Sequence, residues 1–360
     1  MIVCYVSSHG FGHATRCAEV LRAVRAADPR LPLAVVAAAP EWLFRSAIGG
    51  PFEFRSAKND VGLGQRDALA IDLPVTLAAW SEWQQGREAR VAEEAAFLRA
   101  RGARLVLADL PPLAFAAAAC AGVPAFGLAN FTWDWIYRHY AARDGRFAEL
   151  ADACAADYAQ AEALLELPFA CDNAAFARRE PIPLVARRPR SGREAVRERL
   201  ELGPEPLVLL SFGGVGLDAF ELEALGSMRD LRFLTAGEWS RLPANGRAVP
   251  HAELDRVGCG YEGLVAAADV VVSKPGYGIA TDAIGAGTRL LYADRGDFPE
   301  YPVLVRDMQP WLTCAHVPSE RLRVGAIEPE LRALLARPVT PPPRLDGAEV
   351  GAARLLAALA

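Results

Sequence analysis

The sequence predicts an α/β protein made of two doubly wound parallel-sheet domains, and three observations predict it. Short apolar runs recur along the chain, each followed by a segment of helical periodicity, as expected of strands buried on both faces and joined by crossover helices. The series restarts after a proline-rich stretch near the middle. The length of 360 residues suits two domains of ~150 residues each, and a hydrophobic content of 52% can supply a core to both.

Taken in order, the first half carries IVCYVS (2–7), LAVVAAA (33–39), LVLAD (105–109) and PAFGLAN (124–130). The second half carries LVLLSFGG (207–214), LRFLTAG (231–237), DVVVSK (269–274) and RLLYAD (289–294). Between them, residues 167–193 lose periodicity and hold Pro168, Pro181, Pro183 and Pro189, with Pro204 just beyond. That marks an interdomain connection. Its arginines, Arg178, Arg179, Arg187, Arg188, Arg190 and Arg193, could hold an acidic acceptor but read first as a solvated basic linker. The expected layout is a first domain over 1–175, a linker over 176–200, a second domain over 201–345, and a terminal helix over 346–360 packing back on the first domain.

The bulk charge narrows the partners. A net charge of -5 gives no general field for nucleic acid or an anionic bilayer. The seven cysteines form no CxxC pair, which fits reduced, buried thiols in a cytoplasmic protein and no metal centre. The N-terminal apolar run has no basic region before it, and no apolar stretch reaches ~20 residues without Gly or Pro, so neither a signal peptide nor an integral membrane segment is expected.

The chemistry concentrates at strand ends. SSHGFGHATR (7–16) follows the first run, and Ala14, Cys17, Ala18, Leu21 and Val24 share one helical face, so a helix starts near Gly12. Gly10 and Gly12 allow the sharp turn, while the missing third glycine sets the segment apart from the dinucleotide fingerprint. A helix start disfavours an imidazolium, which suits His13, with His9 second, to be a neutral general base; a plain turn in which both rings bond carbonyls fits the residues as well. Asp109 ends another buried strand on the same sheet edge, where it can pair with such a histidine or cap the next helix.

In the second half, Gly213 and Gly214 permit close backbone approach to a phosphate. Lys274 and the helix start after Gly276 suit a diphosphate, and a carboxylate one turn in, Asp282, suits ribose hydroxyls. The loop ADRGDFPEY (293–301) offers Asp294, Arg295, Asp297 and Glu300 to a sugar. The aromatic run NFTWDWIY (130–137) fits either an acceptor cleft or helix core.

Four segments in order, SSHGFGHATR, ADLPPLAFAAAACAGVPAFGLANFTWDWIY, LLSFGG and SKPGYGIATDAIGAGTRLLYADRGDFPEYP, resemble the GT-B-fold nucleotide-sugar glycosyltransferases. The resemblance is closest to the glycosyltransferase-like N-terminal region of plant L-arabinokinases and their free-standing bacterial relatives, and more distant to UDP-glycosyltransferases. It implies two facing Rossmann-like domains and an inverting transfer from a nucleotide sugar, UDP-linked first, to an acceptor hydroxyl, with no further cofactor and no metal. On it, His13 and Asp109 match the family's catalytic pair, with His9 beside them.

Donor contacts then fall to Gly213, Gly214, Lys274, Gly276, Tyr277, Gly278, Thr281, Asp282, Asp297 and Glu300, and acceptor contacts to Gly10, Phe11, Gly12, Asn130, Trp133 and Asp134. Lys274 and Ile279 replace the His and Ser of the plant donor motif, and the usual Asp-Gln sugar-reading pair is absent from DRGDFPEY. The donor sugar therefore stays open. The glycine- and serine-rich ATP loop of the kinase half is not in this sequence, so no sugar kinase activity is expected. Two rivals remain: a nucleotide-sugar epimerase or hydrolase on the same fold, and a non-catalytic nucleotide-sugar sensor.

Overall fold

The computed structural model describes residues 1–64, 71–212, 221–237 and 242–360. Its first sheet has seven parallel strands in the order β3-β2-β1-β4-β5-β6-β7. They are β1 (Ile2–Val6), β2 (Leu33–Ala37), β3 (Glu53–Ser56), β4 (Leu105–Asp109), β5 (Ala125–Ala129), β6 (Ala163–Glu166) and β7 (Arg179–Pro181). The second sheet, also parallel, runs β10-β9-β8-β11-β12-β13. It comprises β8 (Leu207–Ser211), β9 (Arg232–Ala236), β10 (Gly246–Val249), β11 (Val270–Ser273), β12 (Arg289–Tyr292) and β13 (Cys314–His316).

All eight strands expected from the apolar runs are present. The five not expected are β3, β7, β10 and β13, which are the four sheet edges, and β6 beside the β7 edge. Edge strands are short and face water on one side, so they lack the continuous apolar run of an interior strand. EFRS in β3 and REP in β7 illustrate this, and β7 lies inside the proline-rich stretch because an edge tolerates proline.

Strand β1 shows how the sheet is buried on both faces. Ile2, Cys4 and Val6 join one apolar cluster and Val3 and Tyr5 the other, the two-residue alternation of a strand. The strand order reverses between β1 and β4 in the first sheet, where Val6 pairs with Asp109. In the second it reverses between β8 and β11, where Ser211 pairs with Ser273. Such reversals leave a crevice at the carboxyl ends of the strands, where open α/β sheets bind ligands.

Leaving β1, the chain turns through Gly10 at φ 89°, a conformation that favours glycine, and enters the helix Phe11–Ala27, one residue before the expected start. After β4 the helix Pro112–Ala121 has Pro111 at its N-cap position and no side-chain cap, so Asp109 is not its cap. The last helix, Gly347–Ala357, lies on the first helix. Gly351 approaches Val20 and Ile182, and Arg354 donates to Glu180 at 2.7 Å. All seven cysteines are unpaired, and only Cys120 is exposed. No described helix is long and apolar enough to cross a membrane.

Candidate active site

The turn after β1 and the end of β4 meet, as parallel strands require. His13, 6% exposed, places Nδ1 2.7 Å from Oδ1 of the fully buried Asp109. No hydrogen bond to His13 Nε2 is found among the described residues. Burial would raise the Asp109 carboxyl, but the Arg16 guanidinium and His13 hold it below its ordinary value of 3.8, so it stands ionised beside the imidazole.

Arg16, which sequence reasoning did not single out, is the largest surprise of the site. It lies one turn beyond His13, 5% exposed, and its fork takes both Asp109 oxygens: Nε on Oδ2 and Nη2 on Oδ1 at 2.7 Å. Its Nη1 donates to Asn130 Oδ1 at 2.8 Å. Asn130 in turn donates from Nδ2 to Glu300 Oε1 at 2.8 Å, and Arg295 donates to Glu300 Oε2 at 2.8 Å. One hydrogen-bonded chain thus runs from the first domain into the second. The only sequence signal for it was the i, i+3 spacing of His13 and Arg16.

His9 sits on the same turn but in a different setting. Its ring stacks on Phe298 at 6.2 Å and meets the edge of Trp133 at 5.2 Å. Burial, then the nearby His13, Arg295 and Lys274, push its pKa from 6.5 down to about 3. Asp60, also unforeseen, accepts from the Ser8 amide at 2.9 Å and from Trp133 Nε1 at 3.2 Å, and burial raises its carboxyl.

Of the expected acceptor groups, Gly10 and Phe11 are exposed, Phe11 by 44%. Asn130 is fully buried within the chain of bonds. Trp133, 1% exposed, stacks on Tyr137 at 5.9 Å, so the aromatic run is largely core. Asp134 is half-buried, and its Oδ1 has no hydrogen-bond partner among the described residues.

On the facing domain, the helix Tyr277–Ala286 begins at Gly276 directly after β11 and Lys274. It meets the first helix nearly backbone to backbone: a Cβ on Gly278 would lie 3.2 Å from Gly12 Cα. Two helix starts therefore converge at the two sheet reversals, and their free N–H groups favour an anion. Tyr277 lies under Arg16, whose Cζ is 5.0 Å from the ring centroid. The tyrosine hydroxyl is buried without a hydrogen-bond partner among the described residues.

The Thr281 hydroxyl bonds back to the Gly278 carbonyl at 3.0 Å. Asp282 is paired with Arg187, through Nε at 3.1 Å and through Nη2. The connection is therefore not uniformly solvated, since the Arg187 side chain is 17% exposed and also lies over Tyr261. Asp297 pairs with Arg143 at 2.6 Å and His139 at 3.3 Å from the first domain, while its carbonyl accepts from the Tyr140 hydroxyl at 2.6 Å. Asp294 accepts from the Ser319 amide at 2.8 Å and pairs with His316. Gly213 and Gly214 lie outside the described residues.

No family model matches the chain. L-arabinokinase of Arabidopsis thaliana is 32% identical over 349 residues, which are 95% of this chain and 32% of that protein. The chain thus spans about a third of the curated relative it matches. Among solved structures, Os79 from O. sativa in complex with U2F and trichothecene matches 99% of this chain and 94% of its own, with a TM-score of 0.63 and 17% identity. Phytolacca americana UGT2, complexed with UDP-2fluoro-glucose and pterostilbene, covers the same shares with a TM-score of 0.61 and 12% identity. The chain is a homologue of the matching third of L-arabinokinase, and its fold is GT-B, as the sequence resemblance implied.

Proposed function

We propose that this chain transfers a sugar from a nucleoside diphosphate sugar to an acceptor hydroxyl with inversion at the anomeric carbon. The observation that carries the proposal is the His13–Asp109 pair at 2.7 Å, held at one sheet reversal opposite the glycine-led helix start of the other. In this reading His13 Nε2 takes the acceptor proton as the acceptor oxygen attacks the anomeric carbon. The bond from that carbon to the diphosphate breaks with its electrons, and the nucleoside diphosphate leaves. Lys274 and the amides after Gly276 would receive the developing charge. UDP is placed first among nucleotides because a structure of the same fold is complexed with a UDP sugar.

A non-catalytic nucleotide-sugar sensor is the second reading. It is favoured by the match to about a third of a longer protein named as a kinase; in either reading Asp282 and Glu300, whose oxygens already have protein partners, would need to change them to read a donor. A thermal-shift panel of UDP, GDP, TDP and CDP with their sugars tests the shared premise, and no rise in melting temperature with any of them refutes both readings. Once a donor and acceptor are found, His13→Ala separates the two. Transfer predicts unchanged donor binding with turnover reduced by ~10²–10⁴, whereas a sensor shows no turnover to lose.

A further inference from the structure

A histidine–aspartate pair needs only one carboxylate oxygen on the ring, yet here a permanent cation is built into it. Arg16 occupies both oxygens of Asp109, and its Nη2 also lies 3.1 Å from His13 Nδ1. With Oδ1 at 2.7 Å from both Nδ1 and Nη2, the carboxylate is the common acceptor. A bare Nδ1 would set its lone pair against the carboxylate oxygen. The proton therefore sits on Nδ1 and Nε2 is the free base.

The charge balance follows from the same geometry. In a simple dyad the whole carboxylate charge stabilises an imidazolium. Here a bidentate guanidinium cancels that charge and would repel an imidazolium directly. We propose that Arg16 is a positioning residue: its fork fixes the plane of Asp109 and neutralises it, so that His13 is held as the neutral ring with Nδ1–H on Asp109 and Nε2 open to an acceptor hydroxyl. The role rests on His13 being the acceptor base.

The groups facing this ring are Asp109 from β4, Arg16 from its own helix, His9 from the preceding turn and Asp60 from the loop after β3. From the other domain, Tyr277 acts on Arg16, Glu300 acts on Tyr277 and accepts from Asn130, and Lys274 and Arg295 act on His9. None of them supplies a second cation with both Asp109 oxygens, which singles out Arg16.

The test is a ¹⁵N NMR titration of the ring nitrogens of the intact protein, whose five histidines are assigned with the help of H13Q. The wild type should show His13 protonated on Nδ1 and bare on Nε2 when neutral. In R16Q the His13 midpoint should rise by about one pH unit or more, the sign expected when a neighbouring cation is removed. In R16K, which keeps charge but not the fork, the midpoint should stay near that of the wild type. An Nε2-protonated wild-type ring overturns the proposal, as does a midpoint in folded R16Q that is unchanged or lower. The wild-type tautomer is read without any variant at position 16, so a failure of R16Q to fold does not shield the idea. No turnover enters the titration, and absence of nucleotide-sugar binding would refute the functional reading while leaving this result standing.

Discussion

At the scale of single residues, the two histidines of one turn have opposite fates. His13 gains a carboxylate partner, whereas His9 is packed among aromatic rings with cations nearby. The folded His9 resists protonation down to about pH 3, against 6.5 for the free side chain. The unfolded chain therefore binds the extra proton first, and stability is lost as pH falls from 6.5 toward 3. Asp109, whose pKa is lowered from 3.8, contributes stability that is lost only below that value. Melting temperature should thus decline between pH 6.5 and 4, and His9→Gln should flatten the decline; an equal slope in the variant would sink the assignment. The pairing of His13 with Asp109 was legible because both follow buried strands of one parallel sheet. Arg16 was not, because an arginine in a first helical turn usually reaches water, and its partner Asp109 lies 93 positions away.

At the scale of elements, the interior strands other than β6 and the glycine-led helix starts were legible, and edges were not. An interior strand announces itself by an unbroken apolar run, while β10 and β13, at four and three residues, take their place from pairing with a neighbour. The last helix, expected from the sequence to pack back on the first domain, owes its exact seat to contact rather than to its own periodicity. A Cβ at Gly347 would lie 2.0 Å from the Pro183 carbonyl oxygen, and a backbone oxygen cannot swing aside. Gly347→Ala should cost about 1–3 kcal/mol and make the terminal helix an early site of limited proteolysis. Gly145→Ala, where the new methyl meets nothing within 4 Å, is the control and should melt like the wild type. Equal melting of both variants would show that the terminal helix is not seated through Gly347.

For the whole molecule, the decisive feature is how the two sheets meet. Gly12 lies on Gly278, Asn130 bridges Arg16 to Glu300, and Asp297 is gripped by Arg143 and Tyr140. Asn130→Ala should remove the central bridge and leave a buried arginine donor and a glutamate oxygen without it, at about 1–3 kcal/mol. We expect a lower melting temperature together with a larger radius of gyration in small-angle scattering. A variant as compact and as stable as the wild type would show that this bridge does not hold the domains together.

The sequence by itself determined the two α/β halves, the eight central strands and the turns that carry His13, Asp109 and Lys274, because periodicity and turn chemistry act within about ten residues along the chain. Only the tertiary structure decided that Arg16 completes the histidine–aspartate pair, that Arg187 occupies Asp282, and that Asn130 reaches Glu300 across 170 positions. Those contacts depend on which faces the two sheet reversals bring together. No local pattern encodes the partner of a buried charge; the packing of distant elements supplies it.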